Sequence, residues 1–552
     1  MKLKLDFKKT IKVGFAFSII TIFWSSYDFV VPLLLDRAFG LSNAMRGFIM
    51  GLDNLLSLFL LPIFGRLSDK TKTRFGKRTP FIVIGTIATV VLMVFVPISA
   101  NSQYKEATQF REEITQDLTQ DEWGEIYESY GDKLYLDSNN VDKQKFIEIG
   151  LTGKYDISSE GLFNKTYYDE NGEKLEDEEA QIYLEQNEEY QRFCVSPLNS
   201  WLSLQVNEQI TKQNTSRLIV YMIILFFVLV SMATFRSPAV ALMPDVTPKP
   251  LRSPANAIIN LMGGVGSALA LVIYTVGFFI SDNPFIGIFA CVGGGMLLLM
   301  TAFLLLVNEN KFVKECREIC EQHGIDNDEE AIKKEYEKNK NLTAQDKIEN
   351  KKKMMSFLFI LAAIFMWFMG YNSITSNLSV YTTRTLNLAP GVASVISGAG
   401  MAVSAIAFLP VGYLATKIGR RKSVLLGFVM AVISYILIWL WIRPSSSAQY
   451  VFALFYLISG FGLIIANVNT FPMVVELAPA KEVGKYTGYY YMATMSAQAI
   501  TPFFGGLIMD WFGDTSLFAY SAVSVIIATI FMALVKHGDS KPIKGEKAPE
   551  AP

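Results

Sequence analysis

Histidine and cysteine are scarce in this 552-residue sequence, which contains two histidines and four cysteines. His323 and His537 lie outside the hydrophobic segments and no nucleophile–base motif surrounds them, so an enzyme is not indicated. The cysteines are too few and too scattered for a disulfide framework. Cys316 and Cys320 precede His323 at helical spacing, but no second ligand pair accompanies them. We therefore expect neither a metal site nor a cofactor.

Charged residues are also few: they make up 18% of the chain, against about a quarter in an ordinary soluble protein. Apolar residues make up 51%, and the mean hydropathy is +0.31. Residues 101–216 hold 25 acidic and 10 basic residues, so the rest of the chain is basic. That basic excess lies in short pieces between hydrophobic segments, which does not indicate a nucleic-acid partner. The composition indicates an integral protein of a lipid bilayer.

Twelve apolar segments are long enough to cross a bilayer, which takes about 20 helical residues. They cover residues 13–35, 46–67, 81–99, 217–236, 255–280, 285–307, 354–383, 391–416, 424–442, 450–474, 486–509 and 516–536. We therefore predict an all-α membrane protein with twelve transmembrane helices.

Loop charges indicate the orientation. The loop at 66–78 carries six basic residues and one acidic residue, and the loop at 417–422 carries four basic residues. The charged residues of the loops at 281–284 and 510–515 are all acidic. Because positively charged loops stay inside, we expect a plasma-membrane protein with both termini in the cytoplasm.

The same reasoning divides the chain into regions. We predict an N-terminal bundle in two pieces (1–99 and 217–307), an acidic extracytoplasmic insert (100–216), a cytoplasmic linker (308–353), a C-terminal bundle (354–536) and a cytoplasmic tail (537–552). The insert has helix-like stretches near 105–130 and 176–192. Its composition is compatible with a small folded cap and equally with a largely disordered loop.

Motifs of the first half recur in the second. Gly65-Arg66-Leu67 recurs as Gly412-Tyr413-Leu414, and Asp245-Val246-Thr247-Pro248 recurs as Glu476-Leu477-Ala478-Pro479. The two offsets, 347 and 231, differ by the length of the insert. Two repeated six-helix halves are typical of secondary transporters that hold their site between the halves.

The stretch from Gly65 to Pro80 resembles the loop between the second and third helices of the major facilitator superfamily. Its spacing is similar to that of the glycoside–pentoside–hexuronide:cation symporters, and most similar to their sucrose-transporter-like branch. Residues 238–245, followed by Arg252 and Asn256, resemble a second motif of that branch. The resemblance covers the twelve-helix body without the insert. It implies two pseudo-symmetric six-helix bundles and cation-coupled sugar transport.

One position departs from that pattern. The branch has an intramembrane arginine, implied in sugar binding, where this sequence has Val240. Arg236 lies four residues earlier and can face the same way on a helix, although Pro238 between them can re-aim the helix. The resemblance therefore leaves the sugar open.

Two carboxylates fall inside hydrophobic segments, where a charge is costly. Asp28 and Asp53 each lie seven residues from the outer end of their segment, about 10 Å deep. Two neighbouring carboxylates do not both stay charged cheaply, so one binds a proton or both hold Na⁺. We predict them as the cation-coupling residues, with H⁺ ahead of Na⁺. The alternative is that each caps a helix break or pairs with Arg37 or Arg46.

A sugar needs many modest hydrogen-bonding groups and an aromatic face. Polar and aromatic side chains suited to this recur at helical spacing in both halves. The predicted substrate-binding residues are Trp24, Tyr27, Asn54, Arg236, Trp367, Tyr371, Asn372, Thr375, Asn467 and Gln498. Each of these polar groups could instead form an interhelical hydrogen bond, but together they favour a polar cavity.

A third group lies at the cytoplasmic edge. By resemblance, Asp69 forms a latch with a basic partner that holds the outward-open state. The predicted gating residues are Asp69, Arg74, Lys77, Arg78, Asp245 and Glu476. The alternative is that these charges only fix the orientation in the membrane.

Together, these features predict a cation-coupled symporter of a sugar or glycoside that works by alternating access as a monomer. A solute exporter on the same fold is the nearest alternative. A membrane sensor whose insert binds a ligand without transport is a further one.

Overall fold

The computed structural model describes residues 5–116, 118–131, 143–152, 194–248, 251–281, 283–323, 344–400, 418–442, 448–477 and 483–538. Regular structure in this part of the chain is helical throughout. Ten helices are long and apolar enough to cross a membrane, and they coincide with ten of the twelve predicted segments. The predicted all-α membrane fold is confirmed.

The other two predicted segments differ from these ten. Segment 486–509 lies in the helix Val483–Phe512, which is too polar to be counted as a membrane span by composition alone. Segment 391–416 begins with a helix at 390–400, and its remainder lies outside the described residues.

The chain begins with three long helices, α1 (Phe7–Phe39), α2 (Asn43–Lys70) and α3 (Thr79–Gln116). Helix α1 starts after Asp6, whose side chain accepts a hydrogen bond from the Lys9 backbone N–H at 3.0 Å. It ends at Gly40, which has a left-handed backbone with φ of +57°. These caps fix where the first membrane helix begins and ends.

The insert contains α4 (Gln120–Ile126), α5 (Lys143–Thr152) and α6 (Ser196–Val206). Together with the end of α3 they form the insert cap, whose small apolar core contains Trp123, Phe146, Cys194 and Trp201. Burial raises the pKa of the Cys194 thiol, so this cysteine is unreactive in the folded protein.

Of the two alternatives for the insert, the described residues show a folded cap. Helix was predicted near 105–130, and α3 and α4 confirm it for residues 105–116 and 120–126, whereas residues 118 and 119 are not helical. The predicted stretch 176–192 lies outside the described residues.

Three helices complete the first half, α7 (Thr215–Val246), α8 (Arg252–Ile280) and α9 (Phe285–Leu306). The amphipathic helix α10 (Glu309–His323) follows them. The second half contains α11 (Ala344–Val380), α12 (390–400), α13 (Arg420–Trp441), α14 (Ala448–Glu476), α15 (Val483–Phe512) and α16 (Ser516–Leu534). Each half has its own main apolar core.

The bundle has two ends. The insert end carries the insert cap and the junction between α1 and α2, and the linker end carries α10. The halves approach most closely near the insert end, where α2 crosses α15. A Cβ atom on Gly47 would lie 1.8 Å from the Pro502 carbonyl oxygen, and one on Gly51 would lie 2.4 Å from that of Ala499. Glycine at these positions therefore brings the two backbones into direct contact.

Candidate functional site

Asp28 faces a space between the helices. It is exposed although its neighbours on α1, Tyr27 and Phe29, are only 1% and 3% exposed. Asp53 on α2 is 8% exposed and accepts a hydrogen bond of 2.8 Å from the Asn54 side chain. Asp53 lies two residues below Gly51, just beyond the contact between α2 and α15. Both carboxylates therefore lie in the middle part of the bundle.

Arg236 of α7 joins this group. It lies within electrostatic range of both Asp28 and Asp53. Its guanidinium carbon is 5.2 Å from the centre of the Trp24 ring, at cation–π distance. We call Trp24, Asp28, Asp53, Asn54 and Arg236 the central cluster. The structure thus brings predicted coupling residues and predicted substrate-binding residues into one place.

The sequence did not reveal that Arg236 lies near Asp53. The nearest base on the same segment is Arg46, which instead binds Asp36 at 2.8 Å and is 1% exposed. The alternative in which Arg46 pairs with an intramembrane aspartate is therefore wrong for Asp28 and Asp53. Only the packing of α7 against α2 reveals that Arg236 is near Asp53, because the two residues are far apart in sequence.

The second half contributes Tyr371, which is exposed and lies within electrostatic range of Asp28. Trp367 is 2% exposed, and its ring centre lies 6.2 Å from that of Tyr371. Asn372 donates to the Phe368 carbonyl at 2.7 Å. Tyr371 is thus the aromatic side chain open to solvent here, whereas Trp367 lies buried behind it.

The remaining predicted substrate-binding residues differ in their exposure and in their contacts. Thr375 donates to the Asn372 carbonyl at 3.3 Å, and Asn467 on α14 is exposed. Gln498 on α15 is half-buried and precedes Ala499, which places it near the level of Asp53 on the facing helix. Tyr27 is buried against the Trp24 ring, at 5.4 Å between ring centres.

Four of the predicted gating residues meet at the linker end of the first half. Arg78 donates through Nε to Asp245 at 2.9 Å and also binds Asp69. Lys77 Nζ lies 3.1 Å from the same Asp245 carboxylate. These contacts join the end of α2, the start of α3 and the end of α7.

The other two predicted gating residues lie apart. The Arg74 guanidinium lies 4.6 Å from the ring centre of Phe75, and Glu476 of α14 binds Arg420 at the start of α13. The Glu476 pair occupies the place in the second half that the Asp245 cluster occupies in the first. Each cluster joins helices of a single half: the Asp245 cluster in the first and the Glu476 pair in the second.

Sequence reasoning missed Glu309 at this end. Its carboxylate is 2% exposed and accepts hydrogen bonds from the backbone N–H groups of Lys77, Arg78 and Thr79, at 2.8 to 3.1 Å. A carboxylate here satisfies the free N–H groups at the start of α3. Glu309 therefore fastens α10 to the first half.

A network of buried polar side chains that the sequence did not reveal lies at the insert end. Arg384 follows α11 and donates to Asp36 at 3.0 Å, to Asn43 at 2.9 Å and to both carboxylate oxygens of Asp514 at 3.0 and 2.9 Å. Asp510 accepts from the backbone N–H groups of Asn43 and Ala44, both at 2.9 Å. The insert-end network comprises Asp36, Asn43, Arg46, Arg384, Asp510 and Asp514. It connects α1 and α2 with the second half.

The insert cap strengthens this connection. Ser196 donates to the Thr385 carbonyl at 3.0 Å, and Asn199 donates to Asn387 at 3.1 Å, both in the second half. Asn207 donates to the Phe39 carbonyl at 3.2 Å, in the first half. Within the described ranges, the recorded hydrogen bonds between the two halves collect at this end. The halves are therefore closed together at the insert end.

Comparison with known sequences agrees with this architecture. A family model described as Major Facilitator Superfamily matches residues 213–387 and 360–552, and one described as MFS/sugar transport protein matches residues 14–110. No curated protein matches the sequence significantly.

Several solved structures are similar over nearly the whole chain. A bacterial homolog to the human lysosomal transporter Spinster, inward-facing and occupied, has a TM-score of 0.53 at 11% identity, with 95% of both chains covered. An inward-facing bacterial homologue of the iron transporter ferroportin has 0.53 at 14%, over 96% of this chain and 99% of that one. A D-xylose-proton symporter has 0.51 at 13%, over 98% and 99%. Identities this low show the fold alone. Because the first family model covers more than half of the sequence, the chain belongs to the major facilitator superfamily of membrane transporters.

Proposed function

We propose that the protein is a cation-coupled symporter of a sugar or glycoside in the plasma membrane, coupled to H⁺ in preference to Na⁺. The observation that carries this proposal is the central cluster. Two carboxylates, Asp28 and Asp53, and one guanidinium, Arg236, lie together in the middle of a membrane bundle. Ionised groups at this depth are energetically costly, so those that occur usually serve a function.

The charge balance of the central cluster indicates how many cations it binds. Arg236 compensates one carboxylate, which leaves a net charge of −1 on the three side chains. An uncompensated charge in a low-dielectric setting is unfavourable. One monovalent cation, a proton or Na⁺, neutralises it. The proposal therefore predicts one cation for each transport cycle.

The surroundings of the cluster suit a sugar. Trp24 and Tyr371 supply aromatic faces from the two halves, and Asn54 and Gln498 supply hydrogen-bonding groups. Modest polar groups around an aromatic platform fit a polyhydroxylated solute better than a strong ion. The charge of Arg236 interacts with the two carboxylates, which favours a role in coupling over direct sugar binding. The resemblance to the glycoside–pentoside–hexuronide:cation symporters supports the same class.

The orientation follows from the loop charges, with the insert outside and both termini and the linker in the cytoplasm. The closed insert end then corresponds to an inward-facing state in an alternating-access cycle. In this scheme, the clusters around Asp245 and Glu476 hold the cytoplasmic ends of each half as units while the halves move. We expect the protein to work as a monomer.

Transport into proteoliposomes under an imposed proton gradient tests the proposal, with a panel of labelled glycosides as solutes. The Asp53→Asn variant keeps the shape and hydrogen bonding of the site but cannot take up a proton. We expect it to exchange solute across the membrane and to lose accumulation against a gradient. Asp121→Asn, at an exposed position of α4, is the matched control and should accumulate normally.

The outcomes distinguish the alternatives. Accumulation by a well-folded Asp53→Asn protein would remove Asp53 from coupling and transfer the role to Asp28. Solute movement against the direction of the proton flow would identify an exporter. Absence of flux for every solute, with ligand binding to the insert, would identify a sensor.

A further inference from the structure

A second polar cavity lies beside the insert-end network, under α6 of the insert cap. Its volume is about 240 Å³, and it is lined by α1, α3, α6 and the turn that follows α11. Its walls include three arginines, Arg37, Arg111 and Arg384, and one acid, Asp36. We call it the α6 pocket. It is separated from the central cluster by the insert-end network.

Among the described residues that line this pocket, Asp36 is the one acid, and it already accepts hydrogen bonds. The Asp36 carboxylate accepts hydrogen bonds from Arg46 at 2.8 Å and from Arg384 at 3.0 Å, both through Oδ1. Arg384 in turn binds both oxygens of Asp514. Arg384 and Arg46 therefore have carboxylate partners within the network, and Asp36 is shared between them.

Arg111 has no such partner among the described residues. Its Nη2 group donates to the Asp36 backbone carbonyl at 3.2 Å and to the Ser203 hydroxyl at 3.3 Å. Its Nε group is buried without a hydrogen-bond partner. The Asp36 carboxylate attracts Arg111 at longer range, but the hydrogen bonds of Arg111 go to neutral acceptors. The guanidinium therefore lacks the charge-assisted bonds that offset its desolvation.

Arg37 adds a second positive charge. It lines the same pocket and lies within electrostatic range of Arg111. Within the described ranges, no ion pair of Arg37 is recorded. Two like charges held together around a polar cavity repel each other, and an anion between them would relieve the repulsion.

We infer that the α6 pocket binds a small hydroxylated carboxylate, such as a sugar acid. The planar guanidinium fork of Arg111 matches a carboxylate, and Arg37 supplies the second positive charge. Thr108, Asn199 and Ser203 supply hydrogen-bonding groups for hydroxyls. Asp36 in the wall disfavours an anion with more than one charge. This site goes beyond the proposed transport function and does not depend on it.

Calorimetric titration of the purified full-length protein in lipid nanodiscs tests the inference. Gluconate and sorbitol have the same carbon number and differ in the carboxylate, so they form a matched pair of probes at constant ionic strength. We expect gluconate to bind at least tenfold more tightly than sorbitol. Arg37→Gln and Arg111→Gln should each weaken gluconate binding about tenfold, the range of a charge-assisted hydrogen bond.

Lys212→Gln is the control for loss of positive charge on the same end of the protein. Lys212 is 60% exposed and already pairs with Glu208, so gluconate affinity should stay within about twofold. Thermal unfolding reports whether each variant is folded. Should Arg111→Gln unfold, Arg37→Gln decides the question, because no recorded hydrogen bond of Arg37 holds the fold. Equal affinity for sorbitol and gluconate, tighter binding of inorganic phosphate, or unchanged gluconate affinity in the folded variants would overturn the inference.

Discussion

Arg384 donates a hydrogen bond of 3.0 Å to Asp36 and so joins the second half of the chain to the first. Both side chains are buried, at 9% exposure for Arg384 and 8% for Asp36. Asp36 also holds Arg46, and Arg384 also holds Asp514, so one contact connects two ion pairs. Removing one partner from a buried pair leaves an uncompensated charge and costs about 3–5 kcal/mol. In the proposed orientation, this pair stabilises closure of the outer side.

Asp36→Asn should shift the carrier toward its outward-open state, because Arg384 and Arg46 both lose a carboxylate. A cysteine at exposed position Asn467 serves as the reporter. We expect its labelling by a membrane-impermeant maleimide in intact cells to increase several-fold.

Glu106→Gln is the matched control for Asp36→Asn, since Glu106 pairs with Arg217 at the surface and within one half. It should leave the labelling unchanged. Equal labelling of the Asp36→Asn and parent proteins would show that the pair does not control the outer side.

The insert cap must part from one half whenever the outer side opens. Asn199 of α6 and Asn387 of the second half share a hydrogen bond of 3.1 Å. Cysteines at these two positions, joined by a short bifunctional maleimide, should stop transport.

The pair Asn101 and Asn283 offers a matched control. Its hydrogen bond of 3.0 Å lies at the same end but within the first half. The same crosslink there should leave transport nearly intact, because no relative movement is required. Normal transport by the crosslinked 199/387 protein would show that the cap does not take part in the cycle.

Replacing Arg236 tests the charge balance of the central cluster. Arg236→Gln removes the positive charge near Asp28 and Asp53, so the net charge of the cluster becomes −2 instead of −1. Protonation then becomes more favourable, so it occurs at lower proton concentration. The pH of half-maximal uptake should move upward by about one unit, given the Coulomb energy of charges that interact within a protein interior.

Uptake across a pH series measures that shift in proteoliposomes. Arg252→Gln is the control, because within the described part of the chain Arg252 donates to the backbone carbonyls of Pro244 and Thr247, at the linker end. An unchanged pH profile in Arg236→Gln would show that Arg236 does not influence the coupling carboxylates.

Asp69 and Asp245 both bind Arg78 but differ in exposure and in the number of their basic partners. The Asp69 side chain is 58% exposed, so Asp69→Asn should cost at most about 1 kcal/mol. The Asp245 side chain is 21% exposed and binds both Lys77 and Arg78, so Asp245→Asn should cost about 1–3 kcal/mol. Thermal unfolding of the two purified variants gives the order, and transport assays show which one alters the cycle. A larger loss of stability in Asp69→Asn would contradict this ranking.

Hydropathy was sufficient to predict the helical membrane body, because a long apolar segment satisfies its own backbone hydrogen bonds in a membrane by forming a helix. Asp28 and Asp53 were found for a related reason, since a charge inside an apolar segment stands out. The insert-end network was not predicted. Asp36, Arg384 and Asp514 lie at segment ends, where charges are usual, and 348 positions separate Asp36 from Arg384. Only the packing of the halves shows that these residues are buried together.

Helix α3 has a mechanical consequence. Its 38 residues span about 57 Å, roughly twice the hydrocarbon thickness of a bilayer. The same continuous helix therefore lies in the membrane and forms part of the insert cap. An antibody fragment bound to the cap would report the tilt of the first half directly, which gives electron microscopy an alignment marker outside the detergent micelle.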